Sequence, residues 1–273
     1  MLTARQQHCL RGIGIQTWRK RRAIVADDNA HDAEQPGQAV DADTKTGDGT
    51  RFSEPVSAAD QIIPEKRGPF PVSEPAGGEE SGLAITPPPM LDTWDGIIDA
   101  IHACTACELS QNCTRKVPGV GNNRADLLIV GEGPGHDEDI QGEPFVGRSG
   151  QLLDRMLAAI GLTRQQVYIT NIVKCRPPNN RDPRPEEARQ CRAYLEAQIE
   201  LISPRVILSV GRVSAHNLLG SDLPVGKLIR QRHTLPGSDI PVKVTYHPAY
   251  LLRNPSAKAT AWQDLKLLYQ MLQ

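Results

Sequence analysis

The sequence predicts an α/β fold, a three-layer α/β/α domain around a short central parallel sheet of about four strands. Three observations carry that expectation. From residue 91 onward, short apolar runs alternate with longer stretches of helical period. The runs read as strands buried on both faces. Start and stop chemistry falls where helices should begin and end, with Pro185 opening one and Gly161 closing another.

In chain order, the strands are expected at residues 126–130, 167–173, 205–210 and 242–246. Helices are expected at 150–160, with Leu153, Met156, Leu157 and Ile160 on one face, and at 185–202, 213–219 and 256–272. Ahead of this domain the composition changes twice. Residues 1–22 carry six basic side chains and no acidic one, and Leu10, Ile13, Ile15 and Trp18 give them partly helical character. Residues 23–90 hold thirteen acids, four bases and nine prolines, the signature of a disordered acidic linker. Pro87-Pro88-Pro89 forms a stiff boundary before the folded domain, residues 91–273. The basic segment reads as a tethered recognition peptide or a solvated amphipathic tail. It lacks the apolar core of a secretory signal, and no stretch of the chain is long and apolar enough to span a membrane.

In open parallel sheets, ligands bind beyond the carboxyl ends of the strands. The four expected strands run out at Glu132, Asn171, Gly211 and His247, so an acid, an amide, a glycine and an imidazole share one rim. Each alone has an ordinary reading as a solvated charge, a turn cap or a core histidine; four at equivalent positions point to a site. Phe145, in the glycine-bounded loop Gly142–Gly147, offers a stacking platform, and the Asn179-Asn180-Arg181 loop lies near the same rim. In the segment 246–255, Leu251 and Leu252 stand between prolines beside Arg253, an apolar wedge next to a phosphate-seeking cation. The alternative is a loop whose leucines fold into the core. Gly131-Glu132-Gly133-Pro134-Gly135 is a weak dinucleotide signal, because a proline interrupts it and Asp137-Glu138-Asp139 would repel a pyrophosphate.

Four of the six cysteines form two spaced pairs, Cys104-x2-Cys107 and Cys175-x15-Cys191. Such a set suits zinc or an iron–sulfur cluster, and spacing alone does not choose between them or exclude buried free thiols. Cys9 and Cys113 are left over as bystanders. A disulfide scaffold does not fit a chain of this length without a secretory signal.

The segments Gly131-Glu132-Gly133-Pro134-Gly135 with Glu138-Asp139, Pro144-Phe145-Val146-Gly147-Arg148, Val167 to Arg181 and Tyr246 to Pro255 closely resemble the family 4 uracil-DNA glycosylases, the bacterial and archaeal iron–sulfur type. The resemblance runs from residue 93 to the C-terminus. It implies a [4Fe-4S] cluster on Cys104, Cys107, Cys175 and Cys191, chiefly structural in role. It further implies that Phe145 stacks on a uracil flipped from DNA, that Asn171 pairs with its polar edge, and that backbone N–H groups near Gly133, with His247, face O2. Glu132 would counter sugar charge and position water, aided by Asn180, and Glu138 would form a wall against the thymine methyl. Leu251 and Leu252 would fill the gap in the duplex while Arg148 and Arg253 hold phosphate. Uracil-containing DNA, single- and double-stranded, is the implied partner of a bacterial, cytoplasmic, nucleoid-associated monomer whose basic N-terminus binds a repair or replication partner.

Two departures stand out. Ser149 replaces a common alanine, and Gln231-Arg232-His233 resembles a basic-histidine motif of a covalently uracil-linking relative, although there the motif follows the second strand. Ordinary turnover is therefore the expectation. Family 5 enzymes lack the acid of the first motif, so Glu132 argues against that group. The competing function is a non-catalytic cluster-containing module that binds damaged DNA. A net charge of −1 is not that of a strong general DNA binder, and a pure binder would not need the complete polar set at the rim.

Overall fold

Strands whose successive side chains enter two different cores bury both faces and are mostly apolar. The computed structural model, which describes residues 91–273, has four such strands; the expectations for residues 1–22, residues 23–90 and Cys9 lie outside the described residues. In chain order the elements are α1 (Trp94–Ala103), α2 (Leu109–Asn112), β1 (Val120–Gly121), β2 (Leu127–Gly131), α3 (His136–Gln141), α4 (Arg148–Ala159), β3 (Tyr168–Asn171), α5 (Pro185–Ile202), β4 (Val206–Val210), α6 (Arg212–Leu219), α7 (Val225–Leu228), β5 (His233–Thr234), β6 (Pro241–Thr245), α8 (Pro248–Arg253) and α9 (Lys258–Met271). Short 3-10 turns lie at Arg164–Gln166, Pro178–Asn180 and Pro255–Ala257.

The sheet order is β1-β3-β2-β4-β6-β5. Its central strands β3, β2, β4 and β6 are parallel, as expected, while β1 and β5 add antiparallel edges of two residues each. Two residues are too few to show a period, which is why the sequence did not reveal them. Leu128 and Val130 of β2 pack into one core with α1, α5, α6 and α7. Leu127 and Ile129 pack into the other with α4, α8 and α9. A buried pair, Lys243 to Asp264 at 2.7 Å, fixes α9 on β6, and the Thr245 hydroxyl donates to the same carboxylate at 2.9 Å.

Two expectations need correction. The strand expected at 167–173 ends at Asn171, yet Ile172 N–H still donates to the Gly131 carbonyl at 3.0 Å and Val173 N–H to Glu132 at 3.2 Å. Segment 246–255, read as an apolar wedge with a core-folding loop as the alternative, contains the helix α8, with Pro248 at its first position and His247 as its cap. Proline fits there because the first helical N–H has no intrahelical partner.

Candidate functional site

The carboxyl ends of the parallel strands bring Glu132, Asn171, Gly211 and His247 to one rim. Glu132, Gly133, Glu138, Phe145, Asn171, Asn180, His247 and Arg253 line a common cleft of about 430 Å³. Gly211 does not line it but supports it, since a Cβ there would meet the His247 Cβ at 3.0 Å.

One side of the cleft is built from buried, uncharged groups. Asn171 closes β3 at 2% exposure, and its Oδ1 has no hydrogen-bond partner. An unsatisfied buried acceptor costs on the order of 1–3 kcal/mol, which a ligand N–H would recover. The amide is seated against Gly131, where an added Cβ would lie 2.3 Å from Oδ1 and 2.7 Å from the Phe145 ring. Phe145 itself adopts a left-handed backbone at φ 55°, costly for an aromatic residue. Its neighbours hold it there: Arg164 donates to the Phe145 carbonyl at 3.2 Å and to that of Pro144, while Glu138 accepts from Val146 N–H at 2.9 Å and Gly147 N–H at 3.1 Å. Glu138 also accepts from Gly135 N–H at 3.1 Å. It does line the cleft, as expected of a pocket wall, but its carboxylate is taken up in holding the loop that carries Phe145.

His247 joins the two sides. Its ring stacks on Phe145 with centroids 5.6 Å apart, and its Nδ1 accepts from Ala249 N–H at 3.1 Å. That bond leaves the ring proton on Nε2. Burial first, then the Arg253 charge, holds its pKa down at about 4, so the ring is neutral near pH 7.

The other side is charged and wetter. Burial, and next the Asp182 carboxylate beside it, push Glu132 up to about 7, with Arg212 pulling the opposite way. Arg212 pairs with Asp182, and Arg181 forms an ion pair with Glu187 at 2.6 Å. Asn180 sits at φ 53° in an exposed turn, its Oδ1 held by Arg176 Nε at 2.8 Å, which leaves the amide nitrogen for a water. Sequence reasoning missed Asp182 and Arg212. Arg212 was findable, being one residue past the rim glycine of β4, but Asp182 reaches the site only because the turn after Pro178 folds back.

The expected leucine pair separates. Leu251 is 1% exposed and packs into the core under α8, so the wedge role fails for it and the core-folding alternative holds: consecutive positions of a helix turn the two side chains to different faces. Leu252 is 37% exposed, and Tyr250 beside it 38%. Arg148 and Arg253 are exposed at the same end. Gln231-Arg232-His233 does not line the cleft; His233 pairs with Val242, at the other end of β6 from His247.

Away from the cleft, Cys104, Cys107, Cys175 and Cys191 line one small cavity between α1, α5 and the segment after β3. Lys174 N–H donates to Cys191 Sγ at 3.3 Å. Among the described residues no three His, Cys, Asp or Glu side chains gather closely enough for a single metal ion. Four thiols spread round a cavity suit a multi-iron cluster, in which each iron takes one thiolate. Cys113 neighbours Cys175 but does not line that cavity. No helix among the described residues is long and apolar enough to cross a membrane.

A profile of the uracil DNA glycosylase superfamily matches residues 118–266. The type-4 uracil-DNA glycosylase of Archaeoglobus fulgidus is 43% identical over 187 residues, spanning 66% of this chain and 94% of the relative. That of Thermotoga maritima is 45% identical over 161 residues, spanning 59% and 83%. A type-5 uracil-DNA glycosylase of Thermus thermophilus is 36% identical over 120 residues, spanning 38% and 54%.

Proposed function

The chain belongs to the uracil DNA glycosylase superfamily and, within it, to the type-4 uracil-DNA glycosylases, and we propose that the cleft described above is where it reads and releases uracil. It is a DNA-repair glycosylase that hydrolyses the N-glycosidic bond of deoxyuridine, leaving an abasic site. The observation that supports this site most strongly is the buried Asn171 amide with its unpartnered Oδ1, facing the same cleft as the Phe145 ring.

A base in duplex DNA must leave the stack before its glycosidic bond can be attacked. Phe145 would take the flipped ring on its face. Asn171 would accept from uracil N3–H through Oδ1 and donate to O4 through its amide nitrogen. Cytosine presents the reversed pattern there and leaves buried groups unpaired, at roughly 1–3 kcal/mol each. Water adds to C1′ as the bond to N1 breaks, and the bonding pair leaves with uracil. Negative charge spreads to O2, where a donor binds the departing anion more strongly than it binds the substrate. The neutral His247 ring, with its proton on Nε2, supplies that donor beside backbone N–H groups near Gly133. Glu132 as carboxylate faces the cation-like sugar and receives the proton of the attacking water, with Asn180 orienting that water. Arg148 and Arg253 would hold phosphate, and Leu252 would fill the gap left by the base.

The four cysteines fit a [4Fe-4S] cluster, with Cys104, Cys107, Cys175 and Cys191 as ligands. Bound there, it would tie α1, α5 and the segment after β3 together as a structural centre, leaving the chemistry at the glycosidic bond to the cleft residues. On this reading the enzyme acts as a monomer on single- and double-stranded DNA in the bacterial nucleoid. The basic residues 1–22 would bind a repair or replication partner. The test is uracil release from single- and double-stranded oligonucleotides, followed by alkali cleavage at the abasic site. Strands left intact by protein with an assembled cluster would sink the reading.

A further inference from the structure

Lys174 sits between the two cysteine pairs' cavity and the base-reading strand, and no step above uses it. It is 2% exposed. A buried ammonium is costly unless every N–H finds an acceptor. All three do: Thr170 Oγ1 at 2.7 Å, Gln198 Oε1 at 2.8 Å and the main-chain carbonyl of Asn171 at 2.9 Å. None of the three acceptors is a carboxylate. An outer ring closes the network, since the Thr170 hydroxyl and the Gln198 amide both donate to the Pro118 carbonyl, at 2.8 and 2.9 Å.

The backbone of the same residue faces the other way. Its N–H donates to Cys191 Sγ at 3.3 Å, and its carbonyl accepts from Val117 N–H at 2.7 Å. One residue therefore grips the cysteine cavity with its amide and the last residue of β3 with its side chain. A methionine of similar length would fill the space and remove the donor that three polar acceptors share.

We propose that Lys174 is a positioning residue that sets the Asn171 amide for uracil by holding its carbonyl, and so couples the cysteine centre to base recognition. The inference rests on the uracil reading of the cleft. Gln198 lies on α5, lining neither the uracil cleft nor the cysteine cavity, and acts only through Lys174 and its neighbours.

The experiment uses the full-length protein, with its cluster confirmed by visible absorption, and the variants Lys174→Met and Gln198→Met. Inhibition by free uracil reports directly on the fit of the base to Asn171. Both variants should keep the visible absorption and show inhibition by free uracil weakened about ten-fold or more, the effect of misplacing one buried hydrogen-bonding group. The single-turnover rate on uracil oligonucleotides should fall in parallel, with binding of undamaged DNA unchanged. Wild-type inhibition by uracil in both variants overturns the proposal. So does collapse of Lys174→Met together with wild-type inhibition in Gln198→Met, which makes the lysine a structural support only. Failure of the unsubstituted protein to release uracil removes the reading of the cleft itself, and is distinguishable because it appears before any substitution.

Discussion

The two halves of the cleft are made of different materials. The half holding Asn171 and Phe145 offers a buried amide and an aromatic ring, and its shape is fixed by backbone bonds to Glu138 and Arg164. The half holding Glu132 is a group of charges, Asp182 and Arg212 among them, whose balance sets how tightly a proton is held. Selecting one base needs positions that do not yield, because discrimination comes from leaving wrong groups unpaired. Breaking the bond needs a group that can change its protonation near working pH.

That division can be attacked from its rigid side first. Asn171→Ala should lower uracil excision by at least about a hundred-fold, the loss of paired hydrogen bonds to a buried base, with little change in melting temperature. Gly131→Ala should do similar damage, since its methyl would land 2.3 Å from the Asn171 Oδ1. Equal loss of activity and thermal stability in Asn171→Ala would make that residue a structural one and erase the contrast.

The next largest effect separates the two leucines of α8, the helix that begins at His247. Leu251→Ala should cost about 2–5 kcal/mol of stability in chemical denaturation, as for a filled core position. Leu252→Ala should stay within about 0.5 kcal/mol while slowing excision from duplex more than from single-stranded substrate.

The charged half predicts a pH effect with a definite sign. If Glu132 acts as carboxylate, the single-turnover rate rises with pH through about 7, and Glu132→Gln should abolish that rise. Asp182→Asn removes a like charge, so the Glu132 carboxyl ionises more easily and the rise should move to lower pH. His247, already neutral above about 4, should add no step in that range. A profile unmoved by Asp182→Asn would show that the two carboxyls are not linked. Smallest of all, Arg253→Ala should reduce the salt dependence of DNA binding by about one phosphate contact, measured as the slope of affinity against salt.

Much of this was readable beforehand, for physical reasons. Strands buried on both faces show as short, mainly apolar runs, so the four parallel strands and the rim residues at their ends followed from the sequence. The antiparallel edges did not, being two residues long. Helix α8 was hidden by its prolines and shortness, and with it the fact that Leu251 and Leu252 point to different environments. Glu138 was legible as a residue of the cleft but not as a clamp. Its three backbone donors come from residues 135, 146 and 147, which meet only after the chain has turned. Of the cleft's charged half, Glu132 was visible at a strand end, whereas Asp182 depended on a turn with two asparagines at positive φ.

The backbone bonds that continue past the end of β3 bear on how the molecule opens. Ile172 and Val173 donate to Gly131 and Glu132, and two residues later the chain carries Cys175. The glycine loop cannot swing away without breaking those two bonds, so its breathing and that of the cysteine-bearing segment belong to one cooperative unit. Amide hydrogen exchange at Ile172 and Val173 would therefore time both events with a single rate.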